Sequence, residues 1–313
     1  MRGLLLAFVA LALGWSVAWF VAASIVDDAV ESGIARLAQN GTAVECAERE
    51  TQGFPFALRV RCGALALRRD GLDASVPEGA TAGVSILRPT TLVVRPGTSA
   101  TLTTPQGPVA ATWDDLAIEI ADLFGDGALT VDLSAARIAA PQATVTLALY
   151  RGSVVPTAGQ TRLEGQGTDV SVTAGGEGAR TVPIQRVDWS ALVDGDIRRV
   201  SRKGGVAGTL LHAAVTSEKG GSLGLAGPFR VSPEGLLSGE FTLAIADPQG
   251  LQSTLVEVAP ELARGPASLA IQAVPQMGQP VTIGGIAMSG IEVAVENGRG
   301  RLGFVAFDVP PLW

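Results

Sequence analysis

Residues 44–62 read VECAERETQGFPFALRVRC and hold both cysteines of a 313-residue chain, Cys46 and Cys62. Phe56, Leu58, Val60 and Cys62 alternate with Ala57, Arg59 and Arg61. A period of two marks a strand with one face turned inward. On this reading Cys62 lies on the covered face. Val44 and Cys46 share a face in the preceding segment, and Gly53 marks the turn between the two. Fifteen residues separate the cysteines, which excludes CxxC redox chemistry. Two cysteines with one histidine do not make an ordinary zinc site. Two readings remain, a structural disulfide or two buried thiols, and the compartment decides between them.

The amino end supplies the compartment. From Leu4 to Val26 runs a stretch of 23 uncharged, mostly large apolar residues. At about 1.5 Å per helical residue it reaches across a hydrocarbon core of about 30 Å. Arg2 precedes it and Asp27-Asp28 follow, an orientation that leaves the rest of the chain outside the cytoplasm. Trp15, Trp19 and Phe20 suit the outer membrane–water boundary. A cleaved signal peptide is the rival reading, with Ala22 and Ser24 as its small residues, but its apolar core is usually about 7–15 residues. Both readings export the domain, and an oxidising space favours the Cys46–Cys62 bond. Closing a loop of this size is worth about 3 kcal/mol.

Outside the apolar run the composition is that of a turn-rich β protein, with 39 glycines and 18 prolines. Residues 27–40, with Val30, Ile34 and Leu37 on one face, predict a short stalk helix stopped at Asn40-Gly41. Alternating runs follow at 92–95, 100–104, 109–113, 116–122, 128–134, 143–152, 169–174, 181–193, 208–217, 222–232 and 235–245. The last group covers 267–274, 281–288 and 291–309. Asn297-Gly298 between two such runs is a hairpin signal. One segment departs from the period. In residues 247–265, Leu251, Leu255, Val258 and Leu262 fall on a helix face, with Asp247 and Pro248 at its start, Gly265 at its end, and Pro260 as a kink. The expected fold is mostly β: a long antiparallel meander forming a curled sheet, a sandwich or an open barrel. An N-terminal transmembrane helix and one short helix in the C-terminal half complete it. The expected organisation is an anchor over 1–26, a stalk helix over 27–41 and a β domain over 42–313.

Chemistry-bearing patterns are sparse. Gly220-Gly221-Ser222-Leu223-Gly224 fits GxSxG, but a nucleophile elbow needs a strand before it and a helix after it. Here the surroundings read as a hairpin turn, and the single histidine, His212, lies on an alternating strand. Asp114-Asp115 and Asp194/Asp196 sit where turns are expected. Asn40-Gly41-Thr42 matches a glycosylation sequon by chance composition. Arg59, Arg61, Arg68 and Arg69 suit either a soluble sheet face or anionic headgroups. A net charge of −7 argues against a nucleic-acid partner. The reading is therefore non-enzymatic, with no cofactor and no metal.

The run Cys46…Gly53-Phe54-Pro55-Phe56…Cys62 directly after an apolar amino end resembles the start of a proteobacterial family catalogued as domain of unknown function 2125. The ending NGRGRLGFVAFDVPPLW is similar as well. This resemblance implies a membrane-anchored envelope protein and carries no catalytic residue. The meandering sheet behind an anchor is also similar in architecture to AsmA-like envelope proteins linked to lipid transport. The functional expectation is an inner-membrane-anchored periplasmic protein that binds or moves a lipid or other apolar ligand. The alternative is a scaffold that meets other envelope proteins through its sheet edges and loops.

Overall fold

The structure, a computed structural model, describes residues 2–39, 41–69, 72–104, 107–123, 125–174, 180–196, 204–258, 266–302 and 305–312, with backbone alone at 2–13, 266–267, 269–270, 302 and 305. It is mostly β, and it divides into two compact units. Unit 1 comprises residues 1–125 and 138–141; unit 2 comprises 126–137 and 142–313.

Unit 1 opens with helix α1, Arg2–Gln39, which is continuous through the expected anchor and stalk. Among the described residues no helix is long and apolar enough to cross a membrane, so the anchor reading of residues 1–26 rests on the sequence. Gly41, at φ +80°, ends the helix by donating to the Ala38 carbonyl. Ten strands follow: β1 Ala43–Ala47, β2 Glu50–Gln52, β3 Ala57–Cys62, β4 Ala64–Arg69, β5 Leu72–Val76, β6 Ala80–Ser85, β7 Arg88–Pro96, β8 Ser99–Thr104, β9 Gly107–Thr112 and β10 Asp115–Ile120.

Their pairing is simpler than their number. β1 and β2 lie along β4 and β3; β4 and β3 lie along β5 and β6; β5 and β6 lie along β8 and β7; β8 and β7 lie along β9 and β10. The ten strands are thus five long antiparallel segments, each interrupted once near its middle. The interruptions are Glu48-Arg49, Gly63, residues 77–79, Gly97-Thr98 and Trp113-Asp114, and they line up as a crease. Gly79 sits there at φ +72°, and a Cβ on it would lie 1.8 Å from the Cys62 carbonyl oxygen, so no larger residue fits. The Glu78 carboxylate stitches the crease by accepting from the Thr98 backbone N–H at 2.6 Å and its hydroxyl at 2.7 Å. Those two bonds hold the Glu78 carboxyl below its ordinary value.

Unit 2 contains β11, Leu129–Ala139, of which residues 129–137 belong to this unit. The rest is one continuing meander: β12 Ala143–Thr157, β13 Gln160–Ala174, β14 Thr181–Asp194, β15 Val206–Ser217, β16 Ser222–Val231 and β17 Leu237–Ala246. From β12 to β17 each strand pairs antiparallel with the next. Helices α2, Pro248–Val258, and α3, Pro266–Met277, then cross to β18 Gln279–Ile283, β19 Ile286–Glu296, β20 Arg299–Leu302 and β21 Val305–Asp308. β19 pairs with β17, β18 and β20, and β20 with β21. Asn297 and Gly298 both have positive φ at the β19–β20 turn, as the sequence predicts.

The core of unit 2 surrounds β17. On one face Ile245 packs with Leu251 of α2 and Val274 of α3; on the other Ala244 packs with Ile283 and Met288 of the folded-over β18–β19 hairpin. Phe241, Val293 and Val295 continue it.

Several expectations need correction. Residues 267–274 are helical, within α3, and not a strand. Pro266 opens that helix at a position where its missing N–H costs nothing, and Ile271 and Val274 share the face turned to the sheet. Among the described residues the C-terminal half accordingly holds two helices, not one. α2 starts as expected, with Asp247 Oδ1 accepting from Gly250 N–H at 3.1 Å, and runs to Val258; Pro260 and Gly265 lie outside the described residues. Leu37 is exposed, because Val26 rather than Leu37 continues the face of Val30 and Ile34. Phe56 is also exposed, lying just before β3 begins.

Candidate functional site

The covered face of unit 1 starts on α1. Trp15, Trp19, Ala22, Val26, Val30 and Ile34, spaced by threes and fours, form one stripe along the helix. Its upper part seats on the loop before β3. The Trp15 indole N–H donates to the Pro55 carbonyl at 3.1 Å, and that of Trp19 to the Ala57 carbonyl at 2.9 Å. The Trp19 ring meets Phe20 and Phe54 edge-on, with centroids 5.2 and 5.5 Å away. Lower down, Asp27 accepts from the Thr51 hydroxyl at 2.9 Å and lies 3.9 Å from Arg49, which is equally far from Glu31. These contacts hold α1 along the sheet.

Between them the helix does not close on the strands. Val26, Val30 and Ile34 face Val44, Leu58, Val60, Leu65, Leu92 and Val94 across a cavity of about 410 Å³. Every lining side chain is apolar or belongs to the disulfide. The volume lies in the range of ligand pockets, roughly 300–1,000 Å³. Its origin is the sequence of β6. Ala80 and Ala82 stand on the inner face where a strand ordinarily carries Val or Ile, so the middle of the sheet is too shallow to fill the space under the helix. Strands on both sides of the crease line the cavity, β1 and β4 on one side and β3, β6 and β7 on the other. The sheet therefore cups the helix.

Cys46 and Cys62 are bonded, with Cα atoms 5.2 Å apart. The bond ties β1 to β3 across the crease at the wall of the cavity. Gly53, at φ +109°, shapes the neighbouring turn: its carbonyl accepts from Phe56 and Ala57 N–H at 3.1 and 2.8 Å, and a Cβ there would meet the Ala57 oxygen at 2.7 Å. Phe54 and Phe56 project from this turn into solvent. The four residues of the Gly53-Phe54-Pro55-Phe56 motif thus form the loop on which the upper part of α1 rests.

A family model described as "Uncharacterized protein conserved in bacteria (DUF2125)" matches residues 19–307. The chain belongs to this DUF2125 family. The match takes in Cys46, the Gly53–Phe56 loop and Cys62, along with all of β1 to β20. No curated protein and no solved structure gives a significant match to the chain.

Unit 2 of this DUF2125 member carries a second, polar feature. Pairing across β12, β13, β14 and β15 puts Ser153, Glu164, Ser190 and His212 in one row and Arg151, Gln166 and Asp188 in the next. His212 Nε2 lies 2.5 Å from Asp188 Oδ1, and Arg186 donates to the other Asp188 oxygen at 3.0 Å. Arg151 reaches Asp132 at 2.5 Å and Arg162 reaches Glu164 at 3.2 Å. Burial pushes the Asp188 carboxyl up, but the hydrogen bonds from Arg186 and His212 outweigh it and the net displacement is downward. The opposite face carries no charge there. Glycines 152 and 165 make room for Tyr150 and Trp189, and a Cβ on Gly165 would lie 2.3 Å from the Trp189 indole nitrogen.

The GxSxG stretch is a hairpin turn entering β16. Ser222 is buried, and its hydroxyl pairs with that of Thr216 at 3.0 Å, while His212 pairs with Asp188. Asp114 lies between β9 and β10 and Asp115 opens β10, both exposed, and Asp194 closes β14, accepting from Gln160 at 3.0 Å. Arg59, Arg61, Arg68 and Arg69 are all exposed on β3 and β4; Arg68 pairs with Glu45 at 2.9 Å. Asn40 of the sequon lies outside the described residues. Sequence reasoning missed the Asp188–His212 pair, because strand register alone brings residues 24 apart together. It also missed the cavity, whose signal was the pair of alanines in β6.

Proposed function

We propose that unit 1 is a binding module for a lipid acyl chain or another apolar envelope ligand, held at the inner membrane by the N-terminal apolar run with both units in the periplasm. The observation that carries this reading is the 410 Å³ cavity with no polar side chain in its lining. An apolar cavity of this kind gains nothing from water and is stabilised by an apolar guest. The disulfide at its wall and the uncharged run Leu4–Val26 support an oxidising compartment. The protein acts without covalent chemistry, as a carrier or receptor for its ligand. A scaffold working through sheet edges would require no such cavity, which is why the binding reading is preferred.

The test is native mass spectrometry of the full chain extracted from membranes, beside an Ala82→Phe variant whose ring fills the space between Val60 and Val94. Wild type is expected to carry co-purified lipid, and the variant to lose it while keeping its thermal transition. A wild-type chain free of lipid, or a folded variant that retains it, overturns the reading.

A further inference from the structure

The loop that receives α1 has a neighbour. Ile86 and Leu87 form the turn between β6 and β7, and Ile86 N–H donates to the Phe56 carbonyl at 3.1 Å. Phe54, Phe56, Ile86 and Leu87 therefore sit together at one end of unit 1, beside Trp15 and Phe20 of α1. All are exposed; Leu87 is 87% exposed and Phe56 68%. Single exposed apolar residues need no explanation, but a contiguous group at a tip does.

Two observations indicate what covers it. The first is length. The uncharged run begins at Leu4, after Arg2, and from Trp15 onward α1 is engaged with the sheet, so eleven residues of that run, Leu4–Gly14, lie on the membrane side of the tip. They rise about 17 Å, short of the roughly 30 Å hydrocarbon core. A helix that spans at this end must bring Trp15 to Phe20 into the membrane as well, and the tip goes with them.

The second is hydrogen bonding. Backbone groups entering hydrocarbon must be satisfied within the protein. At this tip the Gly53, Pro55, Phe56 and Ala57 carbonyls accept, respectively, from Phe56 and Ala57 N–H, the Trp15 indole, Ile86 N–H and the Trp19 indole. The Leu87 N–H donates to the Ser85 hydroxyl at 3.3 Å, and Pro55 and Pro89 have no N–H to satisfy. Arg59, Arg88 and Arg95 follow on the adjoining strands, exposed and without an acidic partner among the described residues. That arrangement suits the phosphates of a bilayer surface.

We propose that the tip formed by Phe54, Phe56, Ile86 and Leu87 is inserted into the outer leaflet of the membrane that α1 spans, so that helix and tip together complete the anchor. The cavity then opens close to the lipid from which it draws its ligand. This rests on the anchored reading above, but not on the cavity being filled.

The disulfide leaves no free thiol in the chain, so Leu87→Cys introduces a single labelling site. The full chain carrying an environment-sensitive fluorophore at that site is reconstituted into vesicles of phosphatidylethanolamine and phosphatidylglycerol containing spin-labelled lipid. Leu72→Cys, exposed on β5 at the other end of the segments, is the control. Insertion predicts blue-shifted, quenched emission at position 87 and water-like, unquenched emission at 72. Water-like emission at 87 in a chain that floats with the vesicles overturns the tip while leaving the anchor. Quenching at both positions, or failure to float, overturns it too. Lipid content by mass spectrometry reads the cavity separately.

Discussion

In unit 2 the strand at the centre of the core, β17, is covered on both faces, and Phe241, Ala244 and Ile245 are almost wholly buried. In unit 1 the only buried apolar side chains among the described residues are Ala23 and Ala57. Both units are antiparallel meanders built on the same alternation. The difference lies in what is laid against the sheet. Unit 2 brings back a hairpin and two short helices, whose Leu251, Val274, Ile283 and Met288 interdigitate with the strands. Unit 1 lays down one long helix over a strand of alanines and leaves a gap. A sheet with such a gap lacks the dispersion contacts a filled core supplies. It depends correspondingly more on other ties, here the disulfide, the two indole bonds and the Asp27 contacts.

The contrast makes the largest expected effect fall in unit 2. Phe241→Ala removes a ring packed against Val293 and Val295 and should cost about 3–5 kcal/mol, seen as a lowered denaturant midpoint. Within unit 1 no single apolar truncation should reach that size. A cost above about 3 kcal/mol for Val60→Ala, well inside the roughly 2–5 kcal/mol range of truncations in filled cores, would show that its core is as filled as that of unit 2.

Next comes the staple. Cys62→Ser should cost about 2–5 kcal/mol, and mild reduction of the wild type should reproduce it. The effect belongs to unit 1, so probes in the two units should separate: the Trp19 environment should change before that of Trp189. Coincident transitions would sink the view that the bond supports unit 1 alone. Ligand should partly offset the loss, because whatever binds only the folded cavity stabilises it.

Much of this was legible in residues 44–62. The period of two, the glycine turn and the paired cysteines gave the first hairpin and its crosslink. The Asn297-Gly298 turn and the Asp247-Pro248 helix start were equally local, and local signals of that kind survive folding. Strands β4 to β6 were not read, because Ala, Gly, Ser and Asp dominate ALALRR, LDASV and ATAGVS and blur the alternation. Of these, β4 and β6 line the cavity, and the small residues that blur β6 are the ones that leave the space under the helix. Residues 267–274 failed for the opposite reason. A short apolar run fits either period, and its packing against Ile245 decided for helix. The crease and the Asp188–His212 pair are products of register, which single-strand periodicity does not contain.

The smallest expected effect probes the polar face of unit 2. Asp188 titrates below its ordinary value of 3.8 in the folded chain. Burial alone would raise it, so its two donors more than compensate. A depressed carboxyl stabilises the fold fully above its unfolded pKa and loses that contribution as pH falls through the folded value. Stability should therefore decline below about pH 4, as expected for a carboxylate paired in the native state, and Asp188→Asn should remove part of that slope. With Arg186 about half exposed, the pair is worth only about 0.2–1 kcal/mol at neutral pH. Among the described residues of unit 1 the comparable group is Glu78, but it is exposed and its bonds are to Thr98. An acid-induced change reported by Trp189 should thus exceed any reported by Trp19. Equal acid sensitivity at the two tryptophans would mean that the charge rows of β12 to β15 do not set unit 2 apart.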